Sequence, residues 1–324
     1  MGKEMKTIGV LTSGGDAPGM NAAIRSIVRA GIANNLKVIG IRYGYNGLIN
    51  GDLVEMNLRS VSDIVHRGGT ILYTARSPEF KTEEGMNKAV KVCHDAKIDG
   101  IAVIGGDGSF RGATDLSQRG IPCVGLPGTI DNDIASSEYS IGFDTAINTV
   151  KDMVDRLRDT TESHDRCSVV QVMGRNAGFI ALHSGIAVGA TFIIVPELSY
   201  DIENVMIPRM LEIEKTGKKH FIIIVAEGVG DVDKIAKTIQ DHTGIESRAT
   251  VLGHVQRGGS PTVRDRVIAS EMGYHAVELL SQGIGNRVVV MKDNKVIDYD
   301  IYEAFKMTKP FEDKLFHIAQ TINI

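Results

Sequence analysis

Short runs rich in Val and Ile punctuate this chain, and longer amphipathic stretches fill the intervals between them. The runs fall at residues 8–12, 38–42, 100–104, 123–126, 168–173, 192–195, 221–226, 250–255 and 287–291. Most lack in/out alternation, which suits strands buried on both faces of a parallel sheet. The stretches at 20–33, 83–96, 145–159, 202–215 and 261–282 read as helices. Such βα alternation predicts an α/β chain with two doubly wound, Rossmann-like lobes, largely parallel sheets and a cleft between them. In open sheets of this kind ligands bind beyond the carboxyl ends of the strands. A functional motif should therefore follow a strand and precede a helix.

Length agrees with two lobes, since 324 residues exceed what one hydrophobic core usually serves. A formal net charge of -4 argues against a general nucleic-acid binder, which needs a basic surface. The opening MGKEMKTIGVLT has neither the apolar core nor the cleavage site of a signal peptide, and no window reaches a membrane-spanning apolar run. Cys93, Cys123 and Cys167 show no metal-ligand spacing. They read as reduced thiols of a cytoplasmic protein, with Cys93 and Cys123 packed as small hydrophobes.

Three strand ends carry motifs. After the first run comes Ser13-Gly14-Gly15-Asp16-Ala17-Pro18-Gly19. It reads either as a plain strand-to-helix turn or as an anion site, where glycines admit a ligand to the backbone and a helix N-terminus attracts it. Gly105-Gly106-Asp107-Gly108-Ser109 resembles a dinucleotide fingerprint, but Arg111 holds the place of its third glycine. An acidic residue in the loop would repel a pyrophosphate unless a divalent cation intervened, so a metal–nucleotide loop fits better. Pro127-Gly128-Thr129-Ile130-Asp131-Asn132-Asp133 is the most telling. Its two carboxylates read as a solvated turn or, with Asp107, as a metal–phosphate site. Magnesium takes one or two carboxylates plus phosphate oxygens, leaving one carboxylate for base work.

Two further ends, Met173-Gly174-Arg175 and His254-Val255-Gln256-Arg257-Gly258-Gly259-Ser260, carry groups suited to a phosphorylated substrate. Arg offers phosphate a planar fork of donors. The P-loop, the protein-kinase HRD and DFG sequences, the serine nucleophile elbow and HExxH are all absent from the sequence.

Together these motifs resemble those of the bacterial ATP-dependent 6-phosphofructokinases. The resemblance runs nearly end to end and includes Arg67-Gly68-Gly69-Thr70, Ala75-Arg76, Pro78-Glu79-Phe80 and Asp144-Thr145-Ala146. It implies phosphorylation of fructose 6-phosphate at its 1-hydroxyl by Mg-ATP. Asp131 then matches the base, Asp107 a magnesium ligand, and Asp133 a metal or electrostatic neighbour. Gly15, Arg76, Ser77, Gly106, Asp107, Gly108 and Ser109 match the ATP site. Thr129 and Arg175 match groups near the transferring phosphoryl. Arg166, Arg248, His254 and Arg257 match the sugar-phosphate pocket, and Met173, Gly174 and Glu227 match the surroundings of the sugar. In that family Arg166 and Arg248 reach in from a neighbouring subunit, which implies a homotetramer. The family pattern also implies an ATP-binding lobe of 1–141 plus 260–308 and a fructose 6-phosphate-binding lobe of 142–259 plus 309–324.

A pyrophosphate-dependent branch typically has Asp at the place of Gly108 and Lys at that of Gly128, so both positions favour ATP. A catalytically dead nucleotide sensor on the same scaffold should have lost a carboxylate or a phosphate-binding Arg, and none is lost. A lipid or NAD kinase would explain GGDG but not the other motifs. Arg25 and Arg29 share one helical face, which alone reads as a solvated stripe. With Arg158, Lys218, Lys219 and His220 they match an allosteric site for ADP or phosphoenolpyruvate. Thr191, Leu58 and Thr216 depart from that site's pattern, so altered ADP activation is expected. Phe179 stands where Asp is common.

Overall fold

A computed structural model of the protein describes residues 5–323, and the first four residues of the N-terminal reading lie outside it. Its strands are β1 (Thr7–Ser13), β2 (Lys37–Ile41), β3 (Leu53–Met56), β4 (Gly100–Gly105), β5 (Cys123–Pro127), β6 (Cys167–Val172), β7 (Phe192–Ile194), β8 (Phe221–Ala226), β9 (Ser247–Val251), β10 (Arg287–Lys292) and β11 (Lys295–Asp300). The main helices are α1 (Met20–Ala33), α2 (Gly44–Asn50), α3 (Glu83–Asp95), α4 (Asp107–Gln118), α5 (Phe143–Ser163), α6 (Phe179–Ala187), α7 (Ile207–Lys215), α8 (Val232–Thr243), α9 (Val263–Ser281), α10 (Ile301–Ala304) and α11 (Asp313–Ile322). Two compact units result. One holds the residues up to Ile130 with Ile134–Thr145 and Arg257–Lys309. The other holds Asp131–Asp133, Ala146–Gln256 and the residues from Pro310 on.

The first unit is built on a seven-stranded sheet in the order β11-β10-β5-β4-β1-β2-β3. Its five inner strands run parallel, and an antiparallel strand closes each edge. The chain leaves β1 toward β2 and returns to the other side of β1 as β4, which makes β1/β4 the topological switch point. β1, β4 and β5 are buried along their whole length, as their uninterrupted apolar runs require. Helices α1 and α9 pack together closely because Gly273 has no side chain; a Cβ there would lie 2.8 Å from the Ser26 Cβ. Leu11, Ile41, Ile101, Val103, Phe110 and Leu116 belong to one apolar cluster of this unit.

The second unit carries a four-stranded sheet in the order β7-β8-β6-β9, every pair parallel. Val169, Ile223, Val225, Met210 and Ile239 form its core with their neighbours.

Four elements differ from the sequence reading. Only Thr250 and Val251 of the run at 250–255 are strand. β9 ends at Val251, and a 3-10 turn occupies Gly253–Arg257. Gly253 takes a left-handed φ of 57°, which turns the chain out of the sheet and leaves Val255 exposed. β3 and β11 leave no apolar run in the sequence, because these edge strands are only half buried and carry mixed polarity. Finally, the helix read over 202–215 opens as a π-helix at Ile202–Met206. The Met206 N–H reaches back five residues to Asp201 O at 3.0 Å, and Pro208, two residues on, has no N–H to give residue 204. Among the described residues no helix is long and apolar enough to cross a membrane. All three cysteines are free and buried.

Candidate active site

In the first unit the strand register aligns the three motif-bearing loops. Ser13 pairs with Gly105, and Gly105 with Pro127, so the loops leave the sheet from one row. This row flanks the switch point, where open α/β sheets take their ligands. Gly105 is the tight place: a Cβ there would lie 2.4 Å from both Ser109 Oγ and Ser13 O. Ser109 Oγ donates to Ser13 O at 3.0 Å and ties the first two loops together. Behind it, Tyr45 Oη donates to Ser109 O at 2.5 Å while its ring stacks on Phe80 at 4.2 Å. Burial raises the Tyr45 hydroxyl pKa well above its ordinary value, so it stays a donor.

Gly106 caps α4, and Asp107 occupies the helix's first turn with an exposed carboxylate. Around it the structure is open, since a Cβ at Gly106 or at Gly108 would meet nothing within 4 Å. Gly128 differs. A Cβ there would come within 2.9 Å of Ile104 and 3.2 Å of Met20. Thr129 follows it, half buried.

The segment at 66–77 is stapled to the first loop and to the start of α1. Asn21 Nδ2 donates to the Arg67 and Gly68 carbonyls at 3.1 and 3.2 Å, and its Oδ1 accepts from Ile71 N at 2.8 Å. Thr74 Oγ1 donates to Gly14 O at 2.7 Å. Arg76 is exposed two residues on, and Ser77 Oγ accepts from Phe80 N at 3.3 Å. Arg257 reaches the same loop from far along the chain, donating from Nη1 to Asp16 O at 3.2 Å. A Cβ on Gly15 would sit 2.4 Å from that nitrogen.

The second unit presents its own row at the carboxyl ends of β6 and β8, where Val172 pairs with Ala226. Arg175 N donates to Glu227 Oε1 at 2.5 Å, joining the residues that follow the two strands. Arg175 has a left-handed φ of 58° and Asn132 one of 52°. Such conformations cost an ordinary residue energy and concentrate at functional sites. Gly174 is needed at φ 133°, where a Cβ would also strike Ala177 O at 2.4 Å. Met173 N donates to Gln256 Oε1 at 3.1 Å, and Gln256 Nε2 to Gly253 O at 3.0 Å. That fully buried amide holds the turn bearing the exposed His254 and escaped the sequence reading. Arg166 and Arg248 converge on Glu246, at 2.8 and 2.5 Å. Hydrogen bonds from Arg166 and then Arg248 hold the Glu246 pKa below the usual carboxylate range. Asp131 and Asn132 are buried and Asp133 half buried.

The basic residues of the expected allosteric site divide between the units. Arg25 and Arg29 lie on α1 of the first, and Arg158, Lys218, Lys219 and His220 belong to the second. Burial and then the neighbouring Arg158 charge lower the Lys218 pKa, so two cations lie close there. Arg158 donates to the Val188 carbonyl.

Among the described residues no three carboxylate, imidazole or thiol groups gather closely enough to hold a metal. The oxygen-only, exposed Asp107 and the open space at Gly106 and Gly108 nonetheless fit a hard cation that brings phosphate oxygens with it.

Residues 7–280 match the family described as Phosphofructokinase. The chain is 56% identical over 319 residues to the ATP-dependent 6-phosphofructokinase of Clostridium tetani, covering 98% of this chain and 100% of that one. It is 55% identical over 320 residues to the protein of the same name from Alkaliphilus metalliredigens, covering 99% and 100%. Phosphofructokinase from Saccharomyces cerevisiae has the same fold at a TM-score of 0.87 and 34% identity; the match covers 93% of this chain and 45% of the yeast chain. A pyrophosphate-dependent phosphofructokinase from Marinobacter aquaeolei shares the fold alone, at TM-score 0.85 and 20% identity, with 96% and 86% covered. Family match and near-full-length identity agree with the loops at the switch point: the chain belongs to the phosphofructokinase family, among its ATP-dependent 6-phosphofructokinases.

Proposed function

We propose that the chain transfers the γ-phosphoryl group of ATP to the 1-hydroxyl of fructose 6-phosphate, giving fructose 1,6-bisphosphate and ADP. The observation that carries this reading is the single row of Ser13, Gly105 and Pro127, which brings a phosphate-type turn, an exposed carboxylate and the Thr129 loop to adjacent strand ends.

Gly15, Arg76, Ser77 and the turn 106–109 take the nucleotide, with backbone N–H groups at the α4 N-terminus facing its phosphates. The open space at Gly108 supports ATP as donor, because nothing in the first unit's packing demands a glycine there. Met173, Gly174 and Glu227 hold the sugar, and Arg166, Arg248, His254 and Arg257 take its 6-phosphate. Asp131 accepts the 1-hydroxyl proton as that oxygen bonds the γ-phosphorus and the bond to the β-phosphate oxygen breaks. Thr129 and the Arg175 guanidinium donate to the transferring phosphoryl oxygens. Asp107 and Asp133 are the residues that would hold a magnesium ion brought in with the nucleotide, which would supply neutralisation of phosphate oxygen charge. Positioning and charge neutralisation lower most of such a barrier.

On the same reading the protein works in the cytoplasm as a homotetramer, with Arg166 and Arg248 serving a neighbouring subunit's site. One lobe, 1–141 plus 260–308, binds ATP; the other, 142–259 plus 309–324, binds fructose 6-phosphate. Arg25, Arg29, Arg158, Lys218, Lys219 and His220 bind ADP or phosphoenolpyruvate. Steady-state turnover of fructose 6-phosphate with ATP and with pyrophosphate side by side tests the reaction. Turnover with ATP is expected, and turnover with pyrophosphate alone would overturn it.

A further inference from the structure

Asp265 is fully buried, and nothing in the reaction above uses it. Its carboxylate nevertheless has a full set of donors. Oδ1 accepts from Tyr139 Oη at 2.6 Å and Gly142 N at 2.7 Å. Oδ2 accepts from Thr145 N at 2.9 Å and Thr145 Oγ1 at 2.5 Å. An ionised carboxylate has about four acceptor sites, so the shell is complete. Burial raises the Asp265 pKa, and hydrogen bonds from Thr145 and Tyr139 and from the two backbone amides oppose that shift. The Arg264 guanidinium stacks 4.6 Å from the centroid of the Tyr139 ring.

All four donors lie on one short segment, the return from the β5 loop into α5. Gly142 follows Ile141, whose N–H donates to Pro127 O at 2.9 Å, and Ile141 forms a parallel bridge with Gly128. Gly128 N in turn donates to Gly105 O at 2.9 Å, beside the Asp107 turn. The first loop packs on the same cluster. A Cβ on Gly19 would meet Ile141 at 2.6 Å and Asp265 Cβ at 3.5 Å, and one on Gly142 would meet Ala17 at 2.7 Å. The third segment is the entry to α9, where Thr262 N donates to Thr145 Oγ1 at 3.0 Å and Thr262 Oγ1 accepts from Asp265 N at 3.3 Å. Three loops that carry Gly15, Thr129 and Arg257 therefore meet around one carboxylate.

We infer that Asp265 is a positioning residue: it fixes the 139–145 segment, and through Ile141 the exit of the Thr129 loop from β5, relative to the Gly15 and Arg257 loops. Its kinetic consequence rests on the function proposed above. A shift of the Thr129 loop by about 1 Å is worth on the order of 10²-fold in rate.

The test compares Asp265→Asn, Tyr139→Phe, Thr145→Val and Thr145→Ser with the wild-type chain, by amide hydrogen exchange and by kinetics on folded protein. In Asp265→Asn the proposal expects faster exchange confined to 127–145. Equal protection there, or loss spread evenly through the first unit, overturns it. Kinetically, Tyr139→Phe and Thr145→Val should lower kcat roughly 10- to 100-fold with each KM within about threefold, and Thr145→Ser should restore kcat. Unchanged kcat in both deletion variants would also overturn it. A wild-type chain inactive with fructose 6-phosphate and ATP defeats the proposed function instead, and the exchange result then decides the role of Asp265. Should Asp265→Asn fail to fold, the milder Tyr139→Phe and Thr145→Val chains take its place in the exchange measurement.

Discussion

The Arg257 guanidinium occupies the place where a side chain on Gly15 would begin. The nearest guanidinium nitrogen lies 2.4 Å from that Cβ position, and it donates to the carbonyl of the next residue, Asp16. The proposed sugar-phosphate ligand is thus seated on the proposed nucleotide loop, although the two lie 241 residues apart along the chain. Gly15 has no left-handed φ, so alanine suits its backbone and only the guanidinium must move. Gly15→Ala should therefore raise KM for fructose 6-phosphate as well as for ATP. The expected rise is about 10- to 100-fold, the worth of a displaced charge-assisted hydrogen bond of about 1.5–3 kcal/mol. Steady-state kinetics with each substrate varied would show it. An effect confined to ATP would mean that Arg257 finds its phosphate without this seat.

Gly108 and Gly128 make opposite predictions for the same kind of change. Gly108 faces open space in the first turn of α4, where an acidic side chain also suits the helix dipole. Gly108→Asp should leave the unfolding midpoint within the small range of a surface change, about ±0.5 kcal/mol. Its carboxylate should still repel the α-phosphate and raise KM for ATP about tenfold or more. Gly128→Lys must instead force a Cβ against Ile104 and Met20 in a buried site. An overpacking cost of about 1–3 kcal/mol is expected in a denaturant titration, before any effect on the donor. Equal losses of stability in the two variants would contradict this account.

The three thiols supply a pH dependence. Burial pushes the pKa of Cys93 up to about 12 and that of Cys167 to about 12, and raises Cys123 as well. A thiol raised in the folded state contributes stability in full below its unfolded value, near 9, and loses it as pH climbs toward the folded value. The unfolding midpoint should fall steadily above about pH 9. None of the three should be alkylated in the native chain at pH 8, and all should react in denaturant. Rapid native alkylation would refute the burial.

How much of this was legible beforehand follows from range along the chain. The row of Ser13, Gly105 and Pro127 was readable, because each loop follows an uninterrupted apolar run and the fold rule places ligands at such ends. The end of β9 is not readable in the same way, since the run at 250–255 gives no hint that Gly253 turns left-handed. Thr262 followed three residues on by Asp265 looks like an ordinary helix start. Only tertiary packing shows that this carboxylate is buried and faces Tyr139 and Thr145, more than a hundred residues away. The seat of Arg257 on Gly15 was hidden for the same reason. Partners that far apart leave no periodic trace.

Phe179, for which sequence alone offers no rationale, has a structural one. It opens α6, buried at 5% exposure, with its ring 6.4 Å from that of Phe311. Phe311 contacts Phe316 at 5.9 Å, and His183 pairs with Glu312 at 2.6 Å, so the C-terminal segment is clamped to α6. Phe179→Ala should cost about 3–5 kcal/mol. It should also speed hydrogen exchange in α11 more than in the first unit's sheet. Loss of less than about 1 kcal/mol would show that the C-terminal segment is held by other contacts.

Asp131 gives the most direct test of the chemistry. It is buried at the end of the Thr129 loop, 7% exposed, and the proposed mechanism asks it for one service, accepting the proton of the attacking hydroxyl. Asn has the same size and can still accept a hydrogen bond, but it cannot take that proton. Asp131→Asn should bind ATP and fructose 6-phosphate within about threefold of wild type by calorimetry, while kcat falls roughly 10²–10⁴-fold, the usual worth of a general base. Turnover near the wild-type rate would remove Asp131 from the role of base, even if the protein remains a kinase.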